Sequence, residues 1–435
     1  MRMLKWFGWG YEDETLPTER VKSIVKTLEG FLNVSEKDHS PPVEFNSISL
    51  PKPRIKPKIK ISGRIVDDKY QRVIHSFGKS YKDLINLRYG NIKKPPDAVI
   101  YPQNDEDILK ILEWCEKRKI GIIPFGGGSS VVGGVTSEVP SNYNGVVSLD
   151  MKSMSKILAV DTRDETATIQ TGILGPALED ELRKYGFAIR HYPQSFQFST
   201  LGGWIASRSA GHFSTLYGKI EDMVQAIKIV TPRGIIKTES VPSYASGPDI
   251  KRFFIGSEGV VGIITEAVMR LHRIPDFKIS GGIIFPSFEA GAEAARQIVQ
   301  GGIFPPLLRL FDEYETMVSS ALSGKQYPGG SLLILGFESS EDNRRKTEAE
   351  YERSLEIAKS CGGNLKDEGE FSADDIFKSW KKEYFEQPYI RDVLLDFSVI
   401  VDTLETATVW SNIMNLYTKV KDSMLSAISK VSENG

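Results

Sequence analysis

One stretch constrains this chain more than any other. Residues 121–135 read Gly-Ile-Ile-Pro-Phe-Gly-Gly-Gly-Ser-Ser-Val-Val-Gly-Gly-Val. A short apolar run, Ile122 and Ile123, breaks at Pro124, and three glycines and two serines follow. Glycine has no Cβ and tolerates positive φ, so such a backbone can bend sharply and lie against a ligand. Successive N–H groups then converge on one concavity, which suits an anion. The hydroxyls of Ser129 and Ser130 add donors. The natural guest is a phosphate or pyrophosphate, and the plain alternative is a glycine-rich surface loop. Two familiar phosphate loops do not fit. A dinucleotide fingerprint begun at Gly126 meets Val131 where glycine belongs, and a Walker loop begun at Gly128 meets Gly134 where lysine belongs.

The chain has 435 residues, enough for two or three domains. Its net charge of −2 carries no basic field for nucleic acid. Cys115 and Cys361 are too few for a disulfide framework and suit a reducing compartment. No apolar run reaches the ~18 residues that span a bilayer. The segment from Met1 to Trp6 lacks the apolar core of a signal peptide. The expectation is a cytoplasmic protein with no transmembrane segment and room for peripheral membrane contact.

Residues 1–79 read as an N-terminal extension. It opens on the aromatic turn Lys5-Trp6-Phe7-Gly8-Trp9-Gly10-Tyr11. A helix is predicted from Thr18 to Leu32, and the alternating proline and base of Pro51–Lys58 predicts a solvated, extended connector. From Ser80 an α/β pattern begins. Ala98–Pro102 is a strand, Asn104 caps a helix, and Gly121–Pro124 is the strand that enters the glycine loop. A second small-residue stretch runs from His191 through Gly202, Gly203 and Trp204 to Gly211. A third is Phe254-Ile255-Gly256-Ser257-Glu258-Gly259-Val260-Val261-Gly262-Ile263-Ile264. Residues 80–274 are one unit on this reading, and 275–435 are a second, α+β unit with helices at Asn343–Cys361, Glu368–Tyr384 and Val409–Val431. The five histidines, His39, His75, His191, His212 and His272, show no metal-ligand spacing. No nucleophile elbow occurs. Phosphate-cradling loops without a protein nucleophile suit an enzyme whose cofactor carries the chemistry.

Pro124–Ser130, Gln194–Trp204 and Gly256–Ile264 resemble the three flavin-binding segments of the vanillyl-alcohol oxidase type of FAD-binding fold. Within that class the chain is most similar to the alkylglycerone-phosphate synthase family. The similarity rests also on the N-terminal aromatic turn, on Thr231-Pro232-Arg233-Gly234 and on Ser246-Gly247-Pro248-Asp249. The resemblance implies an α+β protein: a two-subdomain FAD-binding fold of the vanillyl-alcohol oxidase (PCMH) type, followed by an α+β cap domain. It implies that Pro124, Phe125, Gly126, Gly127, Gly128, Ser129 and Ser130 hold the pyrophosphate. Gln194, Ser195, Ser199, Thr200, Gly202, Gly203, Ser207 and Ser209 would line the flavin. Glu258, Gly259, Val260, Gly262, Ile263 and Ile264 would contact its adenine or ribitol side. Gln194 stands where the family usually has an acidic residue. Some relatives attach flavin to a histidine beside the glycine loop; Ser129 follows Gly128 here, which implies non-covalent FAD. His191 and Arg309 match family residues near the substrate and are the catalytic candidates, against plain packing and a surface ion pair.

The implied reaction exchanges an acyl for an alkyl group on acyl-dihydroxyacetone phosphate through a flavin adduct. The alternative is an FAD-linked dehydrogenase of a 2-hydroxy acid such as D-lactate or glycolate, as one subunit of a split enzyme; a third is a non-enzymatic FAD-binding subunit. The family's synthases continue past the point matching Val431 with a catalytic tyrosine, a phosphate-binding arginine and a histidine-rich loop. Either a second polypeptide supplies them, or this is a fragment, or the reaction differs; the chain alone is expected to be weak or inactive as an alkyl synthase. A homo-oligomer acting on a phosphorylated, lipid-like substrate completes the reading.

Overall fold

The structure, a computed structural model, describes residues 2–32, 34–242, 245–323, 329–364 and 373–431. Strands β1 (Arg64–Val66), β2 (Ala98–Tyr101), β3 (Ile120–Phe125) and β4 (Gly145–Asp150) form one sheet in the order β1-β2-β4-β3. The last three run parallel, with Phe125 opposite Asp150. A parallel pair requires a crossover, and here it is the helix Asp105–Arg118 between β2 and β3. Asn104 caps this helix by accepting from the Asp107 N–H at 2.9 Å. Ile108, Ile111, Leu112 and Cys115 bury its apolar face against Ile100, Val147 and Leu149. The glycine loop follows at the carboxyl end of β3, the end where ligands bind in open α/β sheets.

Strands β5 (Ile157–Asp161) and β6 (Thr166–Gln170) start a second sheet. The short β7 (Phe187–Ala188) lies outside it. Strands β8 (Val224–Thr231), β9 (Gly234–Lys237) and β10 (Ile263–Arg270) complete an antiparallel order β5-β6-β10-β8-β9. Its core includes Ile169, Leu178, Ile227, Ile229, Met269 and the fully buried Trp204. The pair β7 and β11 (His272–Arg273) closes this region.

The third sheet is β12 (Phe277–Phe285), β13 (Leu307–Leu310) and β14 (Ser331–Ser339), in the order β12-β14-β13. Helices Phe288–Gln300 and Arg344–Ser360 share its core through Ala294, Ile298, Ile357 and Ala358. The described helix Ala373–Asp396 follows; residues 368–372 of the predicted helix lie outside the described residues. The last helix, Ile413–Val431, is anchored at its start by Tyr417, which stacks on Phe288 with ring centres 4.2 Å apart.

Residues 1–79, expected as an extension, are packed into the body. Trp6 and Trp9 are buried, β1 pairs with β2, and Ile24, Val25 and Leu28 of the helix Thr18–Leu32 pack on Ile390, Val393, Leu394 and Phe397. The reason is length: the helix Ala373–Asp396 needs an apolar partner, and the chain's own beginning supplies it. The run Pro51–Lys58 has no helix or strand, and its lysines face solvent while Ile55 packs on the first core.

Candidate active site

A cavity of about 560 Å³ lies between the glycine loop, the segment 193–210, the loop before β10 and the helix Ala373–Asp396. That is within the ~300–1,000 Å³ typical of cofactor and ligand clefts. Its floor is built from backbone. A Cβ on Gly127 would sit 1.7 Å from the carbonyl oxygen of Phe198, so glycine is required there by close approach rather than by positive φ. Gly128 does need positive φ, at 71°. Thr200 caps the short helix Leu201–Ser207, accepting from the Gly203 N–H at 3.2 Å.

Every expected cofactor residue borders this cavity except Val260. Val260 is a correction: it is 86% exposed and points away, because the turn at Glu258-Gly259 (φ 49° and 80°) directs Gly262–Ile264 inward instead. Ser199 borders the cavity, but its hydroxyl is used by the protein. It accepts from the Trp204 indole N–H at 2.6 Å and donates to the Ser195 carbonyl at 2.8 Å. Gln194 is on the rim, exposed.

The two catalytic candidates are not on the wall. His191 is fully buried, with Nε2 2.6 Å from the Ser209 hydroxyl and its ring 5.1 Å from that of Trp204. Burial pushes its pKa down to about 3, so it is a neutral imidazole under Ser209 and not a base that titrates near neutrality. Arg309, exposed on β13, donates to His212 Nδ1 at 3.4 Å. Burial, helped by the Arg309 charge, pushes His212 down to about 3 as well. Arg309 thus reaches the cavity through His212, two residues from the wall residue Ala210.

Sequence reasoning missed the opposite wall. Trp9, Met151, Thr171, Pro388, Arg391 and Glu405 all border the cavity. Arg391 Nε donates to the Tyr81 hydroxyl at 3.3 Å, and its guanidinium lies over the Tyr81 ring at 4.4 Å. Its Nη2 is 3.8 Å from Asp402 yet has no hydrogen-bond partner, and the buried Trp9 indole N–H has none either. Both residues border the cavity, while these two nitrogens are themselves covered by protein. An arginine for phosphate had been expected beyond Val431 or at Arg309; Arg391 borders the cavity as well. The signal in the sequence was weak, since Tyr389-Ile390-Arg391-Asp392 reads as ordinary helix.

The backbone floor and the hydroxyls fit a flavin dinucleotide. A family model described as an FAD binding domain matches residues 96–239, and one described as the C-terminal domain of FAD linked oxidases matches residues 274–428. The fold and site therefore define an FAD-dependent enzyme of the FAD linked oxidase class. The alkyldihydroxyacetonephosphate synthase of Dictyostelium discoideum is 34% identical over 475 residues, covering 98% of this chain and 76% of that protein. A solved alkyldihydroxyacetonephosphate synthase matches with a TM-score of 0.83 at 30% identity, covering 98% of this chain and 85% of that one. The chain belongs to the alkyldihydroxyacetonephosphate synthase family. The mitochondrial cytochrome D-lactate dehydrogenase of Arabidopsis thaliana is 31% identical over 244 residues, but only across 56% of this chain and 42% of that protein. Likeness to the 2-hydroxy-acid enzymes stops near half the chain, and likeness to the synthases does not. Among the described residues, no helix is long and apolar enough to cross a membrane, and no metal-holding cluster occurs.

Proposed function

We propose that this chain exchanges the acyl group of acyl-dihydroxyacetone phosphate for an alkyl group from a fatty alcohol, in the cavity between the glycine loop and Arg391. The observation that carries the reading is Arg391, a cation bordering the cavity. A planar guanidinium is suited to a phosphate, which it can grip through two N–H groups. Residues 124–130, 194–209 and 258–264 hold FAD on the facing wall. Among the described residues, no histidine or cysteine borders the cavity, which supports non-covalent attachment. Acid precipitation should release the yellow colour into the supernatant; colour retained in the pellet would exclude it.

When bound, FAD supplies a ring that accepts and returns electrons, so the exchange closes without net oxidation. The protein's part is to bind, orient and move a proton. Arg391 fixes the phosphate. Glu405, which also borders the cavity, takes the proton from the substrate carbon. Replacing Glu405 with Gln should lower kcat by the ~10²–10⁴ typical of a lost acid–base group. The deciding assay follows labelled hexadecanol into acyl-dihydroxyacetone phosphate beside dye reduction with D-lactate and glycolate. Label incorporation without dye reduction is expected. Dye reduction without incorporation would transfer the protein to the dehydrogenases.

A further inference from the structure

The N-terminal aromatic turn has no part in the chemistry above, yet it is buried against the helix that carries Arg391. Residues 4–11 close on themselves, with the Lys5 N–H donating to the Gly10 carbonyl at 2.9 Å and Leu4 bridging Tyr11. Trp9 packs on Phe198, ring centres 5.6 Å apart, and Phe198 in turn carries the carbonyl that presses on Gly127. The far side of the turn meets Tyr389, whose ring centre lies 5.3 Å from Lys5 Nζ, and Asp392. Its Oδ2 accepts from the Trp9 N–H at 2.9 Å and lies 3.8 Å from Lys5 Nζ. Gly8 is so close that a Cβ there would be 2.4 Å from the same oxygen. Lys79 Nζ donates to the Gly8 carbonyl at 2.7 Å and completes the enclosure.

The helix needs this hold. Pro388 lies inside it, four residues before Asp392. Proline has no N–H and clashes with the preceding turn, so the helix is weakened just before the turn that carries Arg391 and Asp392. We propose that Asp392 is a positioning residue: by clasping the turn of residues 5–10 it holds Trp9 and Arg391 at the spacing that grips the substrate phosphate. The inference rests on the reading of Arg391 as the phosphate residue.

The clasp works through charge. The groups facing Asp392 are Lys5 and the Trp9 N–H from the turn, Lys79, Arg88 from the helix Tyr81–Arg88, and Tyr389 from its own helix. Burial pushes the Asp392 carboxyl up to about 6, against the pull of those donors and cations. Burial pushes Lys79 down to about 8, against Asp392 and Asp83. Because burial raises the Asp392 carboxyl in the clasped state, that state binds a proton more tightly than a released one, and acid does not of itself open the clasp.

The test uses the FAD-loaded protein, dihydroxyacetone phosphate as probe, and trypsin. Asp392→Asn keeps the shape and removes the charge. It should keep its flavin, weaken dihydroxyacetone phosphate about tenfold by tryptophan or flavin fluorescence, and expose the N-terminal turn to cleavage. Gly8→Ala pushes the turn off an intact Asp392 and should do the same. Unaltered affinity in both variants, or no added cleavage of the turn in either, overturns the inference. Arg391→Met separates the layers: if it binds the probe as the parent does, the phosphate reading fails; if it alone weakens binding, only the clasp fails.

Discussion

The two walls of the cavity are built by different means. The floor, from Pro124–Ser130 and Pro193–Ser209, is made of backbone, and its demands fall on residue type: glycine where Phe198 crowds Gly127, small residues under Trp204. The facing wall, from Trp9, Arg391 and Glu405, is made of side chains brought from opposite ends of the chain. A backbone wall leaves a composition signature in a sequence. A side-chain wall leaves none, because any helix can carry an arginine and only the fold says which one meets the cavity.

The largest effect expected is on the floor. Gly127→Val forces a branched side chain onto the Phe198 carbonyl and should abolish FAD binding while the third sheet, β12 to β14, stays folded. Flavin retained at parent stoichiometry would remove the floor from the account. Next comes the facing wall. Arg391→Met should raise KM for acyl-dihydroxyacetone phosphate about 100-fold, the ~3 kcal/mol of a charge-assisted contact, with kcat less affected. A kcat loss with unaltered KM would mean that Arg391 acts on the reacting atoms instead. The smallest expectation is an absence. His191 is neutral well above pH 3, so the profile of kcat/KM should carry no inflection near 6.5 that disappears in His191→Gln. Such an inflection would restore His191 as a base.

The same contrast explains what was legible. The crossover helix after Asn104 and the glycine loop stood out because caps and glycines act locally. The helix Tyr81–Arg88 and the three-residue β1 did not, since the first has little apolar periodicity and the second is too short to show alternation. His191 and Arg309 were placed near the chemistry by resemblance; the structure sets each one contact away, behind Ser209 and behind His212. Trp9 was visible as a motif, but its role depended on Asp392, 383 positions later in the chain. No window along the sequence spans that distance.

The central claim is that one chain holds flavin on one wall and phosphate on the other. The most direct measurement is made on a single preparation of Arg391→Met: flavin stoichiometry by absorbance, and dihydroxyacetone phosphate affinity by fluorescence titration. The account predicts full flavin and about 100-fold weaker phosphate binding, as expected for the loss of a charged hydrogen-bond donor. Lost flavin, or phosphate binding equal to that of the parent protein, would contradict it.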